Sequence, residues 1–381
     1  MLWLLKPAEL SLKGGNRKAF ESVLKRNVQT MLAEYNARLL TQNGRFYLRA
    51  PEKDQARVED ALGRLMGISG WAQCRSFPKT IEAVTAACVE EGKKLAARGI
   101  ATFKIEARRT DKSFPHDSFA LRCSCGQAVL DAVPALRVDV HQPEAVVNIE
   151  IRDKAYIYSG ARKGLGGLPV GTAGRGLLLL SGGIDSPVAG FMMASRGMGI
   201  DAAHFHAYPY TSDEARQKTL RLAEILGGYC MGIRTFIIGF TQVQLRIKER
   251  SPLPWATVLL RMAMMNCAGQ LARKIKAKCL ITGESLSQVA SQTVENLSCT
   301  QSGITLPVLR PLIGMDKEAI IRKAEQIGTY RISIEPHQDC CVLFSPPHPI
   351  LRGNPIEATQ LYQTLELEPL IEEALNQHLT L

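Results

Sequence analysis

The chain has 381 residues, 46% hydrophobic and 22% charged, an ordinary balance for a soluble globular protein with material for two or three domains. No segment approaches the ~18 uninterrupted apolar residues of a membrane span, and Met1-Leu-Trp-Leu-Leu5 is too brief for a signal-peptide core ahead of Glu9 and Lys13, so a cytoplasmic protein with no membrane partner is expected. The net charge of +11 is uneven: residues 1–170 hold 27 Lys+Arg against 18 Asp+Glu, whereas residues 171–381 hold 20 against 18, which suits the first part to a polyanion such as nucleic acid.

Leu2 to Leu12 reads as a strand, and Asn16 to Leu32 as an amphipathic helix bearing Arg17, Lys18, Lys25 and Arg26. Arg38 to Leu48 reads as a hairpin turning at Asn43-Gly44. A first domain is expected over 1–55 and a second over 56–161. The second would hold helices over Gln55–Leu65, Ile81–Arg98 and Ser118–Ala132. Its strands fall near Trp71–Arg75 and at Thr102–Ala107, Arg137–His141, Ala145–Ile151 and Lys154–Ser159, which predicts an α+β module around one sheet.

Arg162 to Arg175 holds five glycines and a proline and reads as a linker or flap bringing Arg162, Lys163 and Arg175 toward the glycine turn at Ser181. A final domain is expected over 176–381. Its strands, Leu177–Leu180, Asp201–His206, Thr235–Gly239 and Cys279–Thr282, alternate with helical patterns. That spacing predicts an α/β doubly wound parallel sheet with a ligand at the strand C-termini. The tail from Ile356 has five glutamates and no Lys or Arg, and reads as one amphipathic helix with a fraying end.

Leu177-Leu-Leu-Leu-Ser-Gly-Gly-Ile-Asp-Ser-Pro187 is the most informative stretch. Four leucines make a strand buried on both faces. Ser181, Gly182 and Gly183 make a turn where backbone N–H groups can approach an anion, and Ser186-Pro187 opens a helix with Ser as its cap. The Lys of a Walker A loop and the GxGxxG of a dinucleotide fold are both missing. The SGGxDS pattern resembles the PP-loop of the ATP pyrophosphatases, which split ATP to AMP and pyrophosphate. Asp185 beside a phosphate site calls for a Mg²⁺ ion between them.

Other candidates carry alternatives. Gly283 would let backbone lie close to an adenine or ribose and Gln292 would bond a phosphate or ribose, or else Ser285 is a helix cap with incidental glutamines. His204 is a ligand contact or a core group, and Phe205 a base-stacking ring or core. Arg261, on an apolar helix, is a phosphate partner or a snorkelling cation. Cys340-Cys341 is a sulfur nucleophile on a loop or a pair of small buried residues. Ten scattered cysteines without a CxxC pair predict reduced thiols, with neither zinc nor an iron–sulfur cluster.

Glu9-Leu-Ser-Leu-Lys-Gly-Gly-Asn-Arg-Lys18, Ala107-Arg-Arg-Thr-Asp-Lys-Ser-Phe-Pro115, Val138–Pro143, Gly167–Gly171, Leu179–Pro187, Thr282–Thr293 and Leu309-Arg-Pro-Leu312 succeed one another in an order that resembles the tRNA 4-thiouridine synthetases. These are the ThiI-type tRNA sulfurtransferases, which also supply sulfur for thiamine. The resemblance implies a ferredoxin-like domain and a THUMP RNA-binding domain ahead of an adenine nucleotide alpha hydrolase-like PP-loop domain. It implies ATP contacts at Leu179, Leu180, His204, Phe205, Arg261, Gly283 and Gln292, beside the turn residues Ser181, Gly182, Gly183, Asp185 and Ser186. Cys340 becomes the catalytic cysteine. Lys13, Arg17, Lys18, Arg108, Arg109 and Lys112 are the basic candidates for tRNA contact.

The implied reaction adenylates the uridine at the eighth position of tRNA and delivers sulfur from a Cys340 persulfide. The chain ends at Leu381, ahead of the rhodanese domain of longer members, so sulfur is expected directly from a cysteine desulfurase or another persulfide donor. Cys341 adjoins Cys340 too closely for easy bridging, which leaves Cys230, Cys267, Cys279 or Cys299 as resolving thiols. A homodimer is a possible assembly. The competing readings are another PP-loop tRNA thiolase, a small-metabolite adenylating synthetase, and a non-catalytic THUMP adaptor.

Overall fold

The computed structural model describes residues 1–9, 15–42, 45–336 and 346–381. It divides into two compact units, Met1–Leu168 and Pro169–Leu381. No helix among the described residues is long and apolar enough to cross a membrane.

The first unit contains two sheets. Strands β1 (Leu2–Pro7), β2 (Arg38–Gln42), β3 (Arg45–Arg49) and β4 (Ile68–Gln73) build one of them with helices α1 (Arg17–Met31) and α2 (Gln55–Arg64). Period-two alternation in β1 explains why it is buried on both sides. Trp3 and Leu5 join Leu24, Val28, Val58 and Leu62 of the two helices. Leu4 points the other way, toward Tyr156 and Tyr158 of the second sheet. That sheet comprises β5 (Arg75–Phe77), β6 (Thr102–Arg109), β7 (Arg137–Val138), β8 (Ala145–Ile151) and β9 (Ala155–Tyr158), covered by α3 (Ile81–Ala97) and α4 (Ser118–Ala132).

The expected break at residue 55 does not separate two cores. α2 and β4 complete the first core through Val58, Leu62 and Trp71, and the second sheet begins only at β5. The single strand expected near Trp71–Arg75 is two strands serving different sheets. The Gly-rich stretch is not a free flap either. Arg162–Lys163 forms β10 against Trp71 and Gly70, and Gly164 and Gly166 donate backbone bonds to Ser69 and Ile68. A Cβ on Gly164 would lie 2.4 Å from the Ile68 carbonyl oxygen. These glycines permit close backbone approach rather than motion.

The second unit is a six-stranded sheet in the order β15-β14-β11-β12-β13-β16. β11 (Arg175–Leu179), β12 (Gly199–His206), β13 (Thr235–Gly239), β14 (Leu280–Ile281) and β15 (Val308–Leu309) are parallel, and β16 (Leu379–Thr380) closes the edge antiparallel to β13. The connecting helices are α5 (Asp185–Ser195), α6 (Asp213–Cys230), α7 (Thr241–Arg250), α8 (Ala256–Lys274), α9 (Val294–Gln301), α10 (Lys317–Ile327) and α11 (Tyr330–Ser333). The acidic tail forms two helices, α12 (Pro355–Thr364) and α13 (Glu368–Asn376), rather than one. Its end does not fray: Thr235 and Leu381 exchange backbone hydrogen bonds at 2.8 and 2.9 Å. Arg175 sits at the N-terminal end of β11, paired with buried Asp201 at 2.7 Å, at the opposite strand end from the glycine turn.

Candidate active site

Leu177 and Leu178 of β11 are fully buried between β12 and β14. The chain leaves this strand into Ser181–Gly183 and enters α5 at Asp185. The helix therefore starts two residues earlier than expected, with Ile184 at the cap position and Pro187 still in the first turn, where its missing N–H costs little. Ser186 is not a cap. Its hydroxyl accepts from Ser181 N at 2.9 Å and lies 3.1 Å from Ser181 Oγ. Ser181 Oγ in turn accepts from Gly183 N at 3.2 Å. Two serines thus tie the turn closed at a helix N-terminus, where the dipole favours an anion.

A cavity of about 240 Å³ opens beside this turn. It is lined by Leu179, Leu180, Ser181, Gly183, Asp185 and Ser186, and across from them by His204, Phe205, Arg261, Gly283 and Gln292. Of the expected nucleotide contacts only Gly182 lies off the lining. His204 Nδ1 is 3.1 Å from the Leu180 carbonyl oxygen, and Gln292 Oε1 accepts from Ser285 N at 3.4 Å. The ring of Phe205 packs edge-on against Phe240, centroids 4.7 Å apart, so it is a core ring rather than a free stacking surface.

Gly283, besides lining the cavity, serves a second neighbour. A Cβ there would lie 2.7 Å from Ser186 N and 2.9 Å from Asp185 C, so the glycine lets the end of β14 press on the first turn of α5. Gly283→Ala is expected to cost about 1–3 kcal/mol and to weaken ATP binding about tenfold, because the turn must shift to make room. Thermal unfolding with and without ATP checks this, and unchanged midpoints would refute the contact.

Four residues outside the expected set, Glu284, Arg310, Lys317 and Gln288, complete the electrostatics. Arg261 does not snorkel: it forms an ion pair with Glu284, whose other oxygen accepts from Arg310 Nε at 2.7 Å and Thr282 Oγ1 at 2.8 Å. Burial by itself would raise the Glu284 carboxyl, but the Arg261 and Arg310 charges outweigh it and hold the group below the usual carboxylate range. Lys317, the first residue of α10, places Nζ 2.7 Å from Asp185 Oδ1, and Gln288 Nε2 donates to Asp185 Oδ2 at 2.8 Å. A lone lysine after Met-Asp carries no local signal; only the fold brings it to the turn.

Cys340 lies outside the described residues, but both flanks of its segment are anchored. Before it, Ser333 Oγ donates to the Gly183 carbonyl at 3.3 Å and Lys218 Nζ to that of Glu335 at 2.9 Å. After it, fully buried Asn296 donates to the carbonyls of Ala290 and Ile350, each at 2.8 Å, and accepts from Gly353 N at 3.1 Å.

A family model described as thiamine biosynthesis protein (ThiI) matches residues 171–367, a ThiI ferredoxin-like domain matches 2–72, and a THUMP domain matches 78–159. The chain belongs to the ThiI family. It is 49% identical over 375 residues to a probable tRNA sulfurtransferase of Treponema pallidum (strain Nichols), covering 98% of this chain and 93% of the relative. It is 41% identical to the probable tRNA sulfurtransferase of Caldanaerobacter subterraneus subsp. tengcongensis, covering 97% and 96%. Among solved structures it is similar to a 4-thiouridine synthetase in complex with RNA and bound ATP, with a TM-score of 0.92, 35% identity, and coverage of 100% and 98%.

Against that ThiI background the remaining candidates divide clearly. Cys230, Cys267, Cys279 and Cys299 are buried and none lines the cavity. Burial pushes the Cys230 and Cys299 thiols up, that of Cys267 to about 12 and that of Cys279 to about 11. Protonated thiols in apolar surroundings are poor resolving nucleophiles. In the first unit, Lys13 lies outside the described residues, Arg17 is paired with Glu21 at 2.7 Å, and Arg109 donates to the carbonyls of Phe114 and His116 at 2.7 and 3.4 Å. Arg109 therefore shapes its own loop. Lys18, Arg108 and Lys112 are exposed and available to a phosphate backbone.

Proposed function

We propose that this protein is an ATP-dependent tRNA sulfurtransferase that converts the uridine at the eighth position of tRNA to 4-thiouridine. The observation that carries the reading is the closed SGGxDS turn at the N-terminus of α5, whose Asp185 pairs with Lys317 and which faces Arg261 across one cavity. That arrangement suits release of pyrophosphate from ATP: N–H groups and the helix dipole receive the departing anion, and Lys317 adds a point charge. Asp185 offers the single carboxylate that a Mg²⁺ ion shares with substrate phosphates and water. Among the described residues no group of three or more His, Cys, Asp or Glu could hold a metal by itself. Mg²⁺, when bound, would neutralise phosphate charge.

The uridine O4, with loss of the N3 proton, attacks the α-phosphorus and pyrophosphate leaves. The terminal sulfur of a Cys340 persulfide then adds at C4, and AMP departs with the former O4. A second thiol releases the thiolated base and leaves a disulfide. Anchoring of Ser333 to Gly183 supports this role, because the chain enters the Cys340 segment from beside the turn. The persulfide would come from a cysteine desulfurase or similar donor, and the same sulfur would be available for thiamine synthesis. The basic surplus of residues 1–170 supports a tRNA grip by the ferredoxin-like and THUMP parts, through shape and backbone charge. A cytoplasmic location fits a tRNA substrate.

Purified protein given ATP, Mg²⁺, a persulfide donor and unmodified tRNA is expected to form AMP and pyrophosphate together with 4-thiouridine. Formation of ADP, or AMP formation indifferent to tRNA and without a thionucleoside, would overturn the reading.

A further inference from the structure

β12 and the residue pair beyond it carry rings at every second position, His204, His206 and Tyr208, while the intervening Ala203, Phe205 and Ala207 belong to the apolar core. Alternation along an extended chain puts the three rings on one side. Their centroids are 6.4 Å apart from His204 to His206 and 6.5 Å from His206 to Tyr208, with the last two rings stacked at 25°. The row leads from the nucleotide cavity outward. His204 is buried and lines that cavity, His206 is half-buried, and Tyr208 is 71% exposed and not part of the lining.

The backbone under the row is pinned. Phe240 N donates to His206 O at 2.7 Å and Thr241 Oγ1 to Tyr208 O at 2.8 Å, while Thr211 bonds both backbone groups of Ala207 at 2.9 Å. A large aromatic ring held in water on a fixed backbone, with Tyr210 also exposed beside it, is a preformed stacking surface. A base inside folded RNA must leave its stack to reach an enzyme's chemistry, and unstacked bases are received on aromatic rings.

We propose that Tyr208 receives the extruded uracil of the target nucleotide, with the ring row guiding it toward the nucleotide cavity. This inference rests on the tRNA-thiolation reading above. Uracil is favoured over the adenine of ATP because Tyr208 lies two ring spacings beyond His204, outside the cavity.

The test compares Tyr208→Ala and Tyr208→Phe with the native protein in steady-state thiolation, varying tRNA and ATP separately. Tyr208→Ala is expected to lower kcat/KM for tRNA about tenfold, a typical loss for one stacked base, with KM for ATP within about twofold; Tyr208→Phe should restore most of it. A tRNA carrying 5-iodouridine at the target position should photo-crosslink at Tyr208 in the native protein. Unchanged tRNA kinetics in Tyr208→Ala, a KM for ATP that rises in step, or an equal loss in Tyr208→Phe would each overturn the proposal. Absence of thiolation by the native protein would instead overturn the parent reading.

Discussion

Cys340→Ser is expected to abolish 4-thiouridine formation, by about a thousandfold or more, while tRNA-dependent release of AMP and pyrophosphate continues. A hydroxyl carries no terminal sulfur, so the second half of the reaction loses its donor atom. In the proposed mechanism the first half relies on Asp185, Lys317 and the turn from Ser181 to Ser186, none of which is replaced in this variant. No other described thiol of the second unit is ready to replace it, since Cys230, Cys267, Cys279 and Cys299 are buried and held protonated. Thionucleoside analysis of tRNA beside an AMP assay reads the two halves separately. Native levels of 4-thiouridine would remove Cys340 from the chemistry.

Replacing Glu284 has the second large effect, this time on stability and nucleotide binding together. The residue is 2% exposed, and its carboxylate is shared by Arg261 and Arg310. Removing it leaves two guanidinium groups without their anion in a poorly solvated site, at a cost of about 3–5 kcal/mol. For a unit of this size that corresponds to a midpoint lowered by roughly 10 °C. ATP affinity should fall as well, because Arg261 lines the cavity and loses the partner that orients it.

The pH dependence has a definite sign. The folded-state pKa of Glu284 is depressed, so its contribution is complete above the unfolded carboxyl value of about 4.3 and is lost as pH falls through the lower folded value. The stability gap between native protein and Glu284→Gln should therefore stay constant from neutral pH down to about 5, then narrow in more acid solution. Denaturant melts across that range check it, and a gap that widens on acidification would contradict the ion-pair assignment.

Much of the site is visible in local pattern because its chemistry is local. A strand of leucines, a glycine turn and a helix start are contiguous, so Leu179 to Ser186 can be recognised in one stretch, and the turn hydrogen bonds of Ser181 and Ser186 arise from their five-residue spacing. The parallel sheet likewise is signalled by strands repeating between helical segments. The boundary near residue 55 was illegible for the opposite reason. α2 and β4 join the first core through Val58, Leu62 and Trp71, contacts that span some fifty or more residues from β1 and leave no local mark.

What the amino-acid order alone determined, then, was the phosphate turn, the doubly wound class of the second unit, and the basic character of the first. The tertiary structure alone decided that Gly283 makes room for the first turn of α5, that Glu284 anchors Arg261, and that Lys317 reaches Asp185 across 132 positions of chain. It also turned a glycine-rich stretch with the look of a flap into a paired strand edge. The physical reason is common to all four: steric clearance and charge pairing depend on which backbone or side chain arrives from a distant segment, and that is fixed only when strands and helices pack.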